Sequence, residues 1–133
     1  MERRFKRHLS SLDSVFDFVS EVLVASDIHR SVAFPINLAI EELFTNMVKY
    51  NRGSASEITI VIQPGGNGVK VTIVDHADAP FDVTKITPVD VRQPLEKRRP
   101  GGLGLHLIQH MVDELRYEYA NGESKVMFSK NVE

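Results

Sequence analysis

Cysteine is absent from the 133-residue chain, which excludes disulfide frameworks, thiol nucleophiles, iron–sulfur clusters and thiolate zinc sites. A surplus of either charge is also missing. Sixteen Lys and Arg stand against eighteen Asp and Glu, a formal net charge of −2, so no general attraction to nucleic acid or to an anionic membrane is expected. No apolar run approaches the ~18 residues of a membrane span, and the opening MERRFKRHLS lacks the uninterrupted apolar core of a signal peptide. These absences predict a cytoplasmic protein with neither nucleic acid nor membrane as partner, whose chemistry rests on oxygen and nitrogen groups. At 42% hydrophobic and 26% charged residues, the composition predicts one folded domain over residues 1–133 rather than a disordered chain.

Residues 3–9 place Phe5 and Leu9 on one side among basic neighbours, an edge-strand pattern. Leu12, Val15, Phe16, Val19, Val22 and Leu23 then recur at helical spacing behind Ser11 as an N-cap. Pro35 fits the first turn of a second helix, carried by Ile36, Ile40, Leu43, Phe44, Met47 and Val48 to about Tyr50 and ended near Asn51 and Gly53. From Ile58 the period changes to two. Ile58, Ile60 and Ile62, then Val69, Val71 and Ile73, flank the turn residues 64–68 and predict a hairpin. Residues 76–101 show no sustained period and hold four of the six prolines, so the segment is expected to be functional or disordered. Leu105, Ile108, Met111, Val112 and Leu115 predict a third helix opened by Gly101–Gly104. Strands over 116–120 and 125–130, joined at Asn121-Gly122, close the chain. The order β-α-α-β-β-loop-α-β-β has too few βαβ units for a doubly wound fold and predicts a largely antiparallel sheet with helices on one face.

Several stretches have the residue types for chemistry. At about 100° per residue, Glu42, Asn46 and Lys49 fall within roughly 60° of one another and border the apolar stripe of the second helix. A carboxylate and an amide at i, i+4 can hold a hydrated Mg²⁺ and orient a nucleophile; alone, the same residues also read as a solvated helix face. Asp75 ends a strand, where an acid can accept a hydrogen bond from an exocyclic amine such as that of adenine, or can simply form a turn. Arg98-Arg99-Pro100-Gly101-Gly102-Leu103-Gly104 joins cations to glycines at a helix start, a phosphate-friendly arrangement. It is neither a Walker A loop nor a Rossmann fingerprint. His106, His110 and Glu114 have the chemistry to bind zinc, yet no HExxH pattern is present and Glu114 drifts off the line of the histidines, so they are expected to be surface or partly buried residues. No GxSxG elbow anchors a hydrolase reading.

Glu42-x-x-x-Asn46 on a helix, Asp75 after a hairpin strand, a long loop, and Gly102-x-Gly104 opening a helix resemble the N, G1 and G2 boxes of the GHKL superfamily of ATPase and kinase domains (histidine-kinase-like ATPases). The resemblance spans nearly the whole chain. The short length, the Glu-Leu-Phe-Thr-Asn form of the N box, Pro80-Phe81-Asp82 and the Gly-Gly-Leu-Gly-Leu run are similar to the bacterial anti-sigma-factor serine kinases. The resemblance implies an α/β (α+β) two-layer sandwich of the Bergerat type: a mixed, mostly antiparallel sheet with helices on one face, ATP between them, and a mobile lid over about residues 76–101. It implies Glu42 as the base that activates the attacking hydroxyl, Asn46 as the Mg²⁺ ligand, Asp75 as the acid on the adenine amine and Thr45 beside the adenine. Gly101, Gly102, Leu103 and Gly104 would lie under the phosphates, with Arg98 and Arg99 just before them. It further implies serine phosphorylation of a small antagonist (STAS-type) protein, sequestration of a sigma factor and a homodimer. One departure stands out: Asp75-His76-Ala77 replaces the usual Asp-x-Gly, and alanine tolerates fewer backbone conformations and puts a methyl near the purine. Glu42 thus favours a kinase, and Ala77 a non-catalytic, nucleotide-gated binding module. A histidine-kinase reading is disfavoured because no dimerisation helix or phosphoacceptor segment precedes the domain.

Overall fold

The computed structural model describes residues 1–28, 30–50, 56–76 and 102–131, with the side chains of residues 30, 50 and 102–106 left out. The two alternating runs become the sheet centre, β2 (Ile58–Gly65) and β3 (Gly68–His76). Residues two apart share a face, so Ile58, Ile60, Ile62, Val69, Val71 and Ile73 are all buried on one side. The edge strand β1 (Glu2–Phe5) pairs with β2, and β5 (Glu123–Asn131) pairs with β3 and with β4 (Glu114–Ala120). The sheet order is β1-β2-β3-β5-β4, and every pairing among the described residues is antiparallel, in keeping with the mostly antiparallel sheet expected. Two hairpins impose that direction on β2–β3 and on β4–β5. One turns at Gly66, with φ +58°; the other turns at Asn121 and Gly122, whose φ values of 53° and 77° suit the twist of the flanking strands.

Three helices cover the apolar face: α1 (Leu12–Ala25), α2 (Ala33–Tyr50) and α3 (Gly102–Met111). Val15, Phe18, Val19 and Val22 of α1, Ile36, Ile40, Leu43 and Phe44 of α2, and Ile108 of α3 join Val126 and Phe128 of β5 in one core. Burying a side chain the size of Phe44 or Phe128 stabilises the fold by about 1.5–3 kcal/mol. None of the helices among the described residues is long and apolar enough to cross a membrane.

Four local expectations change. Strand β1 stops at Phe5, and Leu9 opens a short 3₁₀ turn (Leu9–Ser11) with 43% of its surface exposed, because the His8 side chain accepts the Ser10 N–H and turns the chain. Ser11 stands at the N-cap position of α1, but its hydroxyl donates to the Lys6 carbonyl (2.9 Å) instead of capping the helix. Helix α3 ends at Met111, so Leu115 belongs to β4, where it lies opposite Phe128 and alternates with Tyr117 and Tyr119. His76, the first residue of the expected lid, is the last residue of β3; residues 77–101 lie outside the described residues.

Gly68 meets Asn131 across the ladder, and a Cβ there would lie 2.7 Å from the Lys130 carbonyl oxygen and 3.2 Å from the Asn131 Cα. Both are backbone atoms that cannot rotate away. Gly68→Ala is therefore expected to destabilise the protein by about 1–3 kcal/mol. Urea unfolding measures this, and a wild-type midpoint would show that β5 shifts freely at that position.

Candidate nucleotide site

The buried row of β3 runs Val69, Val71, Ile73 and then Asp75, whose residue is 1% exposed. Asp75 thus points to the helix-covered side from within a paired strand, and the turn-forming alternative is overturned. Its register partner on β5 is Ser124, also buried, whose hydroxyl lies 3.4 Å from that of Tyr117. At this end of the sheet the core face changes from aliphatic to polar. Buried polar groups are costly unless paired, so such a change marks a built feature.

Asp75 is paired with Arg7, a residue the sequence does not single out. The Arg7 guanidinium donates through Nη2 to Asp75 Oδ1, through Nη1 to the Met47 carbonyl (3.2 Å) and through Nε to the Ser56 carbonyl (3.3 Å). The two side chains of the ion pair are 10% and 2% exposed. Met47 lies in the last turn of α2, where carbonyls lack intrahelical partners, and a rigid fork of donors serves such an acceptor well. One side chain therefore links the acid of β3 to the residue next to Asn46.

On α2, Asn46 is 3% exposed, Thr45 and Glu42 are half-buried, and Lys49 is exposed. Glu42 and Asn46 stand one turn apart, about 6 Å along the axis. The solvated-face alternative does not describe Asn46. Burial pushes the Glu42 carboxyl above the ordinary glutamate value; Lys49 opposes the rise and Glu41 adds to it. A raised carboxyl in the folded state favours its neutral form, so its stabilising contribution is full below the unfolded value and is lost as pH rises through the folded one. Glu42→Gln is expected to melt at or above the wild-type temperature at pH 7, the difference vanishing below the ordinary glutamate range. A Glu42→Gln variant that melts lower at pH 7 would mean that unseen partners compensate the buried charge.

The donors suit a hard cation. Among the described residues, no three His, Cys, Asp or Glu gather into a metal cage, whereas Asn46 offers one buried amide beside a carboxylate. Mg²⁺ is commonly held in this way, by one or two protein oxygens with water and phosphate completing the shell. Helix α3 begins at Gly102, as the glycine run implied, and Leu103 and Gly104 lie in its first turn. The site expectations at Ala77, Arg98, Arg99 and Gly101 lie outside the described residues. His110 is exposed on α3 while Glu114 belongs to β4, so the two do not continue one helix face.

The polar end of this helix-covered antiparallel sheet, with an acid on its inner strand and an amide and a carboxylate on α2, is compatible with an ATPase-type domain. The family model of the histidine kinase-like ATPase domain matches residues 5–130, and the chain belongs to that family. Among characterised proteins, the serine-protein kinase RsbW of Oceanobacillus iheyensis is 31% identical over 103 residues, 73% of this chain and 64% of that protein. RsbW of Listeria monocytogenes is 33% identical over 98 residues, 69% of this chain and 62% of that protein. The Bacillus cereus protein of the same name is 29% identical over 97 residues, with coverage of 69% and 60%. This chain spans less than two thirds of the length of these relatives.

Proposed function

We propose that the chain binds Mg²⁺-ATP and phosphorylates a serine on a small antagonist (STAS-type) protein, alternating between that partner and a sigma factor, as a homodimeric cytoplasmic regulator. The observation that carries this reading is the buried Asp75 of β3, tied through Arg7 to the Met47 carbonyl of α2, the helix on which Asn46 is buried and Glu42 half-buried. The names of the RsbW relatives supply the serine as acceptor.

In this reading Asp75 accepts a hydrogen bond from the adenine amine, and Thr45 borders the base. Asn46 would hold Mg²⁺, which supplies charge neutralisation at the phosphates when bound. The amides of Gly101 to Gly104 would receive phosphate oxygens, with Arg98, Arg99 and a lid drawn from residues 77–101 completing the site. Glu42 takes the proton of the serine hydroxyl as its oxygen bonds to the γ-phosphorus and the bond to the bridging oxygen breaks, releasing ADP. Burial makes Glu42 a stronger base than an exposed glutamate, which suits that step.

Incubation with γ-labelled ATP and candidate antagonist proteins tests the proposal, and label on a serine is the expected result. ATP binding without transfer to any candidate would instead favour a nucleotide-gated binding module, the reading that Ala77 supports. Asn46→Ala is expected to abolish the Mg²⁺-dependent part of ATP affinity in calorimetry with and without the metal. An unchanged metal dependence would remove Asn46 as the ligand.

A further inference from the structure

Arg7 stands apart from every feature by which the chain resembles its family. It follows β1, 68 residues before its acidic partner, and its three donors reach three separate segments: the last turn of α2, the bend just before β2 and the end of β3. A buried ion pair is weak evidence for a stabilising role, since its desolvation cost cancels much of its attraction and an apolar pair can replace it. This pair sits where the inner face of the sheet turns polar, beside the buried Ser124. Its position calls for an explanation in terms of what the acid meets.

We infer that Arg7 is a positioning residue of the purine site, which fixes the Asp75 carboxylate against the end of α2 and so sets the preference for a 6-amino over a 6-oxo purine. The inference rests on the proposed reading of Asp75 as the acceptor of the adenine amine. A carboxylate has about four lone-pair sites and, when ionised, accepts only. It therefore matches an amine and repels a carbonyl oxygen at the same position. That discrimination needs the carboxylate to stay charged and to keep one orientation, and the guanidinium supplies both. It compensates the charge in a position almost closed to water, and its anchors on Met47 and Ser56 fix where the acid must point. Lysine would supply the charge from a flexible stem without the fork, so its substitution separates charge from position.

The test uses the full chain and compares ATP with ITP, which differ in the amine and the carbonyl at that position. Equilibrium binding of each to wild type, Arg7→Met and Arg7→Lys is measured, and circular dichroism melts confirm folding. Wild type is expected to prefer ATP. Arg7→Met should lower the ATP-to-ITP affinity ratio by roughly tenfold or more, the scale of one hydrogen bond to a charged group. Arg7→Lys should lower it by less, while still falling below wild type. An unchanged ratio in either folded variant overturns the inference, as does equal weakening of both nucleotides, which is what a purely structural role would produce. Should Arg7→Met prove unfolded at the assay temperature, Arg7→Lys carries the decision. A wild type that binds no ATP, or shows no preference over ITP, refutes the reading of Asp75 itself, and does so before any variant is measured.

Discussion

Glu42→Gln is expected to lower serine phosphorylation by roughly 10²-fold or more, the usual contribution of a positioned base, while nucleotide affinity stays close to wild type. Glutamine keeps the size of the side chain and its place on α2 but cannot accept the hydroxyl proton. The pH profile supplies a second reading of the same residue. A base must be ionised, and burial has moved Glu42 upward, so wild-type transfer should rise with pH along a limb above the ordinary carboxylate range of about 4.3. Label transfer followed by single-turnover kinetics gives both quantities. A Glu42→Gln variant that transfers phosphate at the wild-type rate would take Glu42 out of the chemistry, whatever its effect on stability.

The second large effect falls on the fold. Asp75→Ala removes one partner of an almost fully buried ion pair and leaves the Arg7 guanidinium with an uncompensated charge, which should cost about 3–5 kcal/mol. Denaturant unfolding at neutral pH measures it. The double variant Arg7→Met/Asp75→Leu removes both charges and fills the space with apolar atoms, and it should recover most of that loss. Recovery distinguishes the cost of a stranded charge from the cost of a lost contact. A single variant as stable as wild type would mean that water reaches the guanidinium more readily than its 10% exposure indicates.

The periodic segments were legible because each elements' apolar residues face a single core. Ile58, Ile60 and Ile62 alternate, while Ile36, Ile40, Leu43 and Met47 keep helical spacing, and both sets are buried as their patterns require. Glu42, Asn46 and Asp75 were legible as candidates, although only the structure shows Asp75 on the core side of β3 rather than in a turn. Leu115 is ambiguous in the sequence, because its distance of three from Val112 fits a helix as well as its distance of two from Tyr117 fits a strand. Pairing with Phe128 decides for the strand. Phe18 lies 2% exposed in the core, whereas Phe16, which fits the helical spacing in the sequence, is only half-buried. Arg7 gave no local signal. It is one cation in a basic run, and what distinguishes it from Arg3, whose partner Glu21 is exposed, is that the fold brings it a buried acid.

The two ends of the strand order carry their own consequence. A sheet of hydrogen-bonded strands has no intrinsic reason to stop at five, because an outermost strand offers unpaired backbone groups to any other chain. Here β1 displays Glu2, Arg3 and Arg4 to solvent, and β4 displays Glu114, Arg116 and Glu118. A strand added at either margin would have to strip water from these charges. Among the described residues the sheet is thus bounded by charge rather than by closure, which discourages self-templated growth into fibrils at these margins.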